Sequence, residues 1–528
     1  MKQKFYKSLF FLIIVLAIFT RTFKLGTNPP GLYWEEVALG YDAYSIWQTG
    51  RDHHGNLLPI VAFESFGDYK PSLYFYTDAP FVGLLGLNAW SVRLPSVICG
   101  ILIVLGIGQL AKLILQNKSK YSQDMIQLIG MAVAAINPWA THFSRGAWEA
   151  NLASCLTLWG VIFGLRFIQK KQLKPLFFSV LTLILSMYAY HSTRVIAPIL
   201  GMSIVLLSFR KKESLFKYIK KNRQNLSYLA LMAVCLVTPI LVSLNQASIS
   251  HRFTETSIFS DLSIIEQSNS LKEISGNGLL AKIYYHRYVL FAREITQNFF
   301  DHFNLDFLFI SGDANPRHSI QYFGHLYYFE LLLLLFGIYW LGTHKKRSSW
   351  LLPIWLIIGI LPAALTKTTP HALRILPVMP IFLLVITLGI YHLITSLKKF
   401  RLALIMVIVC AYAIGLGWYA DYYFKVYPIK AAQEWQSDYP TLIKQINDLQ
   451  AEYPENYIYV SRDLGRPAMY YWFYTQTDPR EVQAQNSLVK KDQGEFLEFN
   501  LLKFDSSRFS EDGKIRTKVG EKAGELYE

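Results

Sequence analysis

Apolar residues occur along the chain in runs that are long enough to form membrane-crossing helices. A helix needs roughly 17 to 25 mostly apolar residues to cross the hydrocarbon core of a bilayer. Runs of about this length are found at eleven places, a few of them at the short end of the range. The runs span about 8–25, 93–115, 125–143, 148–168, 174–190, 194–209, 226–244, 325–342, 350–366, 374–395 and 401–419. This pattern predicts an all-α polytopic membrane protein.

One further apolar segment, 71–88, contains Pro71, Asp78 and Pro80 and is rich in aromatic residues. It fits either a twelfth crossing or a helix that lies in the membrane interface. Charge decides between the two. With the N-terminus in the cytoplasm and 71–88 not crossing, every inner segment is basic, as the positive-inside rule requires. If 71–88 crossed, every later loop would change sides and the rule would fail, so we predict about eleven spans.

The basic residues of the predicted inner segments occur in short clusters between the apolar runs. They are Lys2, Lys4 and Lys7; Lys118 and Lys120; Lys170, Lys171 and Lys174; Arg210–Lys212 with Lys217, Lys220, Lys221 and Arg223; Lys345–Arg347; and Lys398, Lys399 and Arg401.

Three sizeable polar pieces are predicted on the outer side of the membrane. They are the loop 26–92, the loop 245–324 and a tail 421–528. Within the tail, 429–451 has helix-like periodicity and 456–461 reads as a strand. We therefore expect a transmembrane module over 1–420 and a small mixed α/β outer domain over 421–528, with a looser, charged end beyond about 503.

Composition supports the membrane reading. Of the 528 residues, 52% are hydrophobic and only 17% are charged, and the mean hydropathy is positive, which excludes an ordinary soluble profile. The net charge of +15 comes from the clustered inner residues, so membrane topology explains it better than a nucleic-acid partner.

The four cysteines lie in apolar runs without a CxxC pair, so we expect no disulfide and no thiolate metal site. The N-terminal run lacks a small-x-small cleavage pattern and is read as a retained helix.

The first outer loop is rich in acids and aromatics. The sequence PPGLYWEEVALGYDAYSI places Glu35 and Glu36 behind a Pro-Pro-Gly turn and beside Tyr33 and Trp34. Several more carboxylates follow, and a lone cation, Lys70, precedes Pro71. This composition is unusual for a simple connector between membrane helices.

Ionisable and polar residues also occur on the same predicted outer side, against the topological bias. They are Arg93 at the start of the second span and, in turns or loops, Arg145 and Glu149; His191 and Arg194; Asp313, Asn315, Arg317 and His318; and His371 and Arg374. Ionisable groups near the membrane are costly unless they have a task, and Arg suits forked contacts with phosphate. Together with the acidic loop they predict a site for an anionic lipid head group and a proton acceptor.

Simpler interpretations exist for single members of this set. Any one Arg or His can extend to the membrane interface, and Glu64 and Asp68 read as solvated loop charges. The pair His53-His54 suggests a metal, but no HExxH or other ligand spacing accompanies it. We therefore assign no metal ligands from the sequence.

These residues carry a resemblance to a known family. GLYWEEVALGYDAYSI after the first span, DYKPSLYFY, LNAWSVRLPS, SRGAWEAN, GDANPRHS and PHALR resemble the GT-C superfamily of membrane glycosyltransferases. The resemblance is to glycosyltransferase family 39, the protein O-mannosyltransferase-like group that includes aminoarabinose transferases. It covers residues 1 to about 420. The family's first outer loop carries an Asp-Glu pair with the Asp as base, whereas this chain has Glu35-Glu36, and a change in reach of about 1 Å can cost on the order of 100-fold in rate.

The resemblance implies transfer of a hexosyl or pentosyl group from an undecaprenyl- or dolichyl-phosphate donor to an acceptor hydroxyl on the outer face. It implies Glu35 as general base and Glu36 as the residue that positions hydroxyls. The donor phosphate is expected to contact Lys70, Arg374, Arg194, Arg145 and His371. The sugar or acceptor is expected to contact Tyr33, Trp34, Asp42, His191, Asp313 and Arg317. No cofactor is required, although a divalent metal that bridges the phosphate and a carboxylate is compatible with the chemistry.

Other functions fit the sequence less well. A secondary transporter or lipid flippase places charge near mid-membrane and often has related halves, neither of which is evident here. A scaffold or sensor needs one anchoring helix rather than eleven. An O-antigen ligase or polymerase-type GT-C enzyme concentrates function in a later loop, for which 245–324 is long enough. The resemblance favours a bacterial inner membrane and a protein, lipid or glycan acceptor, while the sugar is left open.

Overall fold

The computed structural model describes residues 2–116, 118–209, 211–243, 256–344, 346–509, 516–520 and 526–527. Arg210 and Lys345 of the predicted inner clusters lie outside the described residues, as do the start of the loop 245–324 and much of the tail beyond 509. The described chain is mainly α-helical.

Helices of the N-terminal half are, in chain order, α1 Lys2–Thr22, α2 Trp34–Thr49, α3 Leu73–Leu85, α4 Ala89–Ile114, α5 Lys120–Ile136, α6 Pro138–Phe143, α7 Glu149–Lys170, α8 Leu173–Met187, α9 Thr193–Ser208, α10 Lys212–Lys221 and α11 Arg223–Ser243. The later helices are α12 Leu262–Ile274, α13 Leu279–Tyr284, α14 Arg287–Asp301, α15 Glu330–Thr343, α16 Leu351–Ala364, α17 Met379–Ser396, α18 Arg401–Asp421, α19 Tyr427–Lys430, α20 Tyr439–Glu452, α21 Pro467–Thr475 and α22 Pro479–Gln485. The strands are β1 Ala62–Ser65, β2 Asp68–Pro71, β3 Tyr457–Val460, β4 Lys491–Asp492, β5 Glu495–Phe496, β6 Glu498–Phe499, β7 Leu502–Phe504, β8 Thr517–Gly520 and β9 Leu526–Tyr527.

Each of the eleven predicted apolar runs contains a helix, which confirms the predicted all-α polytopic class. Among the described residues, seven helices are long and apolar enough to cross a membrane, or eight if the bent pair α9 and α10 is one span. The helices α8 and α15 are apolar but shorter. The segment 71–88 forms α3, which contains Pro80 and is not among the candidate spans.

Small residues let two of the apolar helices pack closely. A Cβ added at Gly337 of α15 would lie 1.9 Å from the Val385 carbonyl oxygen of α17. A Cβ added at Gly389 of α17 would lie 1.9 Å from the Leu333 carbonyl oxygen of α15. Any larger residue at either position would push the backbones apart, so glycine sets this helix–helix distance.

The chain forms two compact units, each assembled from separate segments. The first unit comprises Met1–Arg21, Cys99–Phe143 and Ala150–Ala420. The second unit comprises Thr22–Ile98, Ser144–Glu149 and Asp421–Glu528. The acidic loop after the first span and the C-terminal tail, which are far apart in sequence, therefore belong to one unit.

The tail contains the small α/β arrangement that its pattern predicted. Five strands form a sheet in the order β6-β7-β3-β8-β9, in which β3 runs parallel to β7 and antiparallel to β8. The predicted strand at 456–461 is β3. The predicted helix at 429–451 is divided, because residues 431–438 form turns. Gln436 has a left-handed φ of 46°, and Pro440 lies at the start of α20, where its missing N–H is tolerated.

Candidate active site

The acidic pair begins helix α2 in the second unit. Tyr33 has extended backbone angles immediately before the helix, and Glu35 and Glu36 lie in its first turn, where carboxylates interact favourably with the helix dipole. The glycine of the preceding Pro-Pro-Gly turn is required because there is no space for a side chain. A Cβ at Gly31 would lie 2.2 Å from the Trp435 carbonyl oxygen, so only glycine lets the loop pass this close to the tail.

Glu36 is fully buried and forms a clamp with Arg93. The Arg93 Nε and Nη2 atoms donate to the two Glu36 carboxylate oxygens, each at 2.9 Å. The same guanidinium donates to the carbonyl oxygens of Leu25, Pro29 and Gly31. Glu36 Oε1 also accepts the Ala147 N–H at 2.8 Å. Five bonds match the five N–H donors of an Arg, so the clamp holds the loop before α2 rigidly.

Glu35 is presented differently. Its side chain is 30% exposed and pairs with the ammonium of Lys70, which is itself almost fully buried on β2. Its Oε1 accepts the Trp34 indole N–H at 3.2 Å. The first turn of α2 thus carries one fully buried glutamate, Glu36, and one partly exposed glutamate, Glu35.

The predicted phosphate and sugar contacts of this unit already have partners. Lys70 pairs with Glu35, and the Arg145 guanidinium donates to the carbonyl oxygens of Phe23 and Asn28, both at 2.7 Å. Tyr33 packs against Trp148 and Trp435, with ring centroids 5.1 and 5.4 Å away. Their contacts to donor or sugar stay predictions.

Asp42 lies two turns after Glu35 but binds a histidine. Its Oδ1 is 2.7 Å from His53 Nδ1 and accepts the His53 backbone N–H at 2.9 Å. Burial raises the pKa of Asp42 to about 7 and lowers the pKa of His53 to about 4. The contact between Asp42 and His53 is therefore a hydrogen bond in which the histidine is uncharged near neutral pH, rather than a full ion pair. His54 Nδ1 lies 3.1 Å from the Asn486 amide oxygen, so the neighbouring histidines serve separate contacts.

Asp78 of α3 is a buried carboxyl that the sequence analysis did not assign to the site. Neither of its oxygens has a hydrogen-bond partner within the described chain. Burial raises its pKa well above the ordinary value, and the Glu36 carboxylate raises it further. Both causes favour the uncharged form of Asp78 beside the clamp.

A second group of ionisable residues belongs to the first unit. Asp313 Oδ2 accepts the Ala372 N–H at 2.6 Å and lies 3.4 Å from His318 Nδ1 and 3.8 Å from His371 Nδ1. The neighbouring His318 imidazole and the hydrogen bond from the Asn315 N–H hold the pKa of Asp313 well below its usual range despite burial. Burial lowers the pKa of His371 well below its ordinary value. Its surroundings therefore favour the charged form of Asp313 and the uncharged form of His371.

Three further predicted residues of the first unit lie in its turns. Arg374 Nη1 donates to Thr366 Oγ1 at 2.6 Å and to the Thr368 carbonyl oxygen at 3.0 Å. Arg317 donates its backbone N–H to the Asn315 side chain at 2.9 Å. His191 is partly buried in the turn before α9. No ligand contact of these residues is established, and their roles stay predictions.

An apolar groove of about 380 Å³ runs between α8, α9 and α11 in the first unit. Its lining includes Leu183, Met187, Pro198 and Gly201. Arg194, in the first turn of α9, donates from Nε to the Met187 carbonyl oxygen at 3.3 Å. Arg194 is thus bonded to Met187, a residue of the groove, whose lining is apolar apart from Ser179.

Several residues that contact these candidate site residues were not identified from the sequence. Arg93 was noted only as the start of a span, and Trp148, Trp435 and His302 were not singled out. The signal for Arg93 was present, since a charged residue opens an apolar run. Nothing in the local sequence indicates that it reaches back 57 residues to Glu36.

No protein-family model matches the chain, and no curated protein matches it. Similar solved structures include the oligosaccharyltransferase AglB from Archaeoglobus fulgidus in complex with an inhibitory peptide and a dolichol-phosphate, at 14% identity over 80% of this chain and 56% of that chain, with a TM-score of 0.47. ArnT from Cupriavidus metallidurans matches at 11% identity over 91% of this chain and 78% of that chain, with a TM-score of 0.45. Arabinosyltransferase EmbB from Mycobacterium smegmatis matches at 10% identity over 73% of this chain and 30% of that chain, with a TM-score of 0.38.

The chain spans about half the length of the oligosaccharyltransferase structures. These neighbours are membrane glycosyltransferases, the class that the sequence motifs resemble. With every TM-score below 0.5, the activity has to be argued from the residues of this chain.

Proposed function

We propose that the chain is a membrane glycosyltransferase that moves a hexosyl or pentosyl group from a polyprenyl-phosphate donor to an acceptor hydroxyl. The observation that carries the proposal is the geometry of the first turn of α2. Glu36 is immobilised by Arg93, while the adjacent Glu35 is partly exposed beside the Lys70 ammonium. A partly exposed glutamate held at the start of a rigid helix is suited to take a proton from a bound hydroxyl.

The proposed reaction is a single displacement at the anomeric carbon. Glu35 accepts the proton of the acceptor hydroxyl, the hydroxyl oxygen forms the new bond to the anomeric carbon, and the bond to the lipid phosphate breaks with inversion. The electron pair of that bond leaves with the phosphate, which needs cations more than a proton. General-base help contributes roughly 10²- to 10⁴-fold. Glu36 acts by fixing the turn that carries Glu35.

The apolar groove supports a lipid donor. An isoprenoid chain suits a mainly apolar groove between helices, and Arg194, which is bonded to the groove residue Met187, suits the phosphate that terminates such a chain. Arg374 and His371 are further candidates for the phosphate. Lys70 and Arg145 are weaker candidates, because the first pairs with Glu35 and the second binds backbone carbonyl oxygens.

We place the enzyme in a bacterial inner membrane, with the N-terminus in the cytoplasm and the tail outside. The support is the distribution of Lys and Arg, which makes every predicted inner segment basic. The acceptor is a hydroxyl of a protein, a lipid or a glycan.

The test is sugar transfer in membranes of the source cell supplied with a panel of polyprenyl-phosphate sugars. We expect the natural chain to release polyprenyl phosphate from at least one donor and to label an acceptor. Release from none of the donors would contradict the proposal and favour a transporter or flippase.

A matched pair of glycine variants tests the groove. Both Gly201 and Gly342 have open space where a Cβ would be added, but only Gly201 lines the groove. We expect Gly201→Phe to raise the KM for the donor about tenfold or more with little change in kcat, and Gly342→Phe to leave both unchanged. Equal effects of the two variants would show that the groove does not bind the donor.

A further inference from the structure

Two tight turns from distant parts of the sequence meet in the second unit. Phe66-Gly67 joins β1 to β2, and Gln493-Gly494 joins β4 to β5. A Cβ added at Gly494 would lie 3.0 Å from the Gly67 backbone nitrogen, so the two turns pack directly against each other. The tail therefore contacts the hairpin whose second strand carries Lys70.

The turn between β1 and β2 holds an aromatic residue in an unfavourable backbone conformation. Phe66 has a φ of 56° and Gly67 has a φ of 76°. Two consecutive positive φ angles in a two-residue hairpin connection match a type I′ turn, in which Asn-Gly is preferred. A bulky residue at positive φ is uncommon, and conformations of this kind occur mainly where surrounding contacts enforce them. The contacts of the Phe66 ring therefore offset the cost of its backbone conformation.

Two cations contact the Phe66 ring. The guanidinium carbon of Arg466 lies 4.7 Å from the ring centroid, and the Nζ atom of Lys70 lies 5.9 Å from it. Both distances are within the range of about 6 Å over which an aromatic ring attracts a cation. The side chain of Lys70 is only 5% exposed and pairs with Glu35. The contact with Phe66 therefore limits where the Lys70 ammonium can lie beside the Glu35 carboxylate.

Arg466 connects the Phe66 ring to the tail. It immediately precedes α21, and its φ of 59° is also left-handed. Its Nη2 atom donates to the Gln493 side-chain oxygen at 2.9 Å, and its Nη1 atom lies 3.7 Å from Glu495 Oε2. The guanidinium is thus held by the β4–β5 hairpin on one side and contacts the β1–β2 hairpin on the other.

The residue before Arg466 contacts another neighbour of Glu35. A Cβ added at Gly465 would lie 3.3 Å from the Trp34 ring, which places the tail backbone close to that indole. The Trp34 indole N–H donates to Glu35 Oε1 at 3.2 Å. The segment of the tail that begins α21 therefore adjoins Trp34, which binds Glu35, and Phe66, which contacts Lys70.

We propose that Phe66 and Arg466 are positioning residues that hold the Lys70 ammonium beside the Glu35 carboxylate, and that the tail sets the geometry of the base through them. The proposal rests on the proposed function of Glu35 as the base. A displacement of about 1 Å at a reacting group can cost about 100-fold in rate, so a contact that fixes the partner of the base affects the rate without touching the substrate. The position of Lys70 is also measurable without any transfer reaction.

The first measurement is sugar transfer by Phe66→Asn and Arg466→Gln in membranes supplied with polyprenyl-phosphate sugars. Each variant should lower kcat by about 10- to 100-fold with little change in the KM for the donor, and Phe66→Tyr, which keeps the ring, should restore most of the rate. Because Asn-Gly suits the turn, Phe66→Asn should melt at or above the temperature of the natural chain. Arg508→Gln is the matched control, since the Arg508 guanidinium lies 4.5 Å from the Tyr459 ring in the five-stranded sheet and 3.7 Å from Asp505.

The second measurement is the rate at which an amine-acylating reagent modifies Lys70 in the full chain purified in detergent, followed by mass spectrometry. Phe66→Asn and Arg466→Gln should raise this rate about 5- to 30-fold, the factor by which loss of a desolvated cation–π contact shifts a local equilibrium. Phe66→Tyr and Arg508→Gln should react like the natural chain. Unchanged reactivity of Lys70 in both variants, or a natural kcat in both, would overturn the proposal. If Glu35→Gln transfers sugar at the natural rate while Lys70 reacts faster in the two variants, the positioning of Lys70 is supported and the role of Glu35 as the base fails.

Discussion

The clamp between Arg93 and Glu36 gives the sharpest prediction about stability. We consider Arg93→Met, which keeps an unbranched apolar stem and removes the guanidinium. Both side chains of the natural pair are fully buried. The variant leaves the Glu36 carboxylate with the Ala147 N–H and leaves the carbonyl oxygens of Leu25, Pro29 and Gly31 without their guanidinium donors.

The expected magnitude follows from this arrangement. Breaking a buried ion pair by removing one partner costs about 3–5 kcal/mol, because the remaining charge stays buried. Arg480 provides a control, since its side chain is 63% exposed and pairs with Asp478 on the surface. Loss of an exposed pair costs about 0–1 kcal/mol. Arg93→Met should therefore be destabilising by several kcal/mol more than Arg480→Met.

Hydrogen exchange followed by mass spectrometry measures this difference locally. Peptides covering 22–50 should exchange on the order of 10²- to 10³-fold faster in Arg93→Met, while peptides of α17 in the first unit serve as the internal reference. Replacing both partners, with Glu36→Leu added, should recover part of the loss, because no buried charge remains. Exchange in Arg93→Met that equals exchange in Arg480→Met would refute the clamp.

Two other predictions concern the second unit. Asp42 has a folded pKa of about 7, above its unfolded value, so its contribution to stability is present below about pH 4 and is lost as the pH rises through about 7. The melting temperature of the natural chain minus that of Asp42→Asn should fall between about pH 5 and pH 8, and a constant difference would contradict the assignment. Gly31→Ala should be destabilising by about 1–3 kcal/mol or more, because its Cβ would lie 2.2 Å from the Trp435 carbonyl oxygen. Gly417→Ala, which has open space at its Cβ, should be neutral in thermal unfolding, and equal effects of the two would exclude the clash.

Much of the helical fold was predictable because each apolar run forms its own helix through local backbone bonds. Strand β3 was also predictable from its local pattern, whereas helix α2 lies in a segment, 26–92, that was predicted as a loop. The division of 429–451 was less visible. The helix is interrupted at Gln436, which has a left-handed conformation. Glutamine rarely adopts this conformation, so the sequence does not indicate the break.

Partners across long sequence separations could not be predicted. Lys70 pairs with Glu35, and Arg145 donates to backbone carbonyl oxygens; neither partner was indicated by the sequence, and the expected contacts with a phosphate stay predictions. The first outer loop and the tail belong to one unit, and no local sequence pattern indicates this either. Pairings of this kind depend on tertiary packing, which periodicity and composition do not encode.

The most direct test of the central claim is sugar transfer by Glu35→Gln compared with the natural chain. Glutamine keeps the shape of the side chain and removes the base, and Asp68→Asn, on the neighbouring strand β2, is the matched control. We predict that Glu35→Gln lowers the rate of transfer by about 100-fold or more while the control is unaffected and both variants remain folded. Transfer by Glu35→Gln at the natural rate would contradict the assignment of Glu35 as the base.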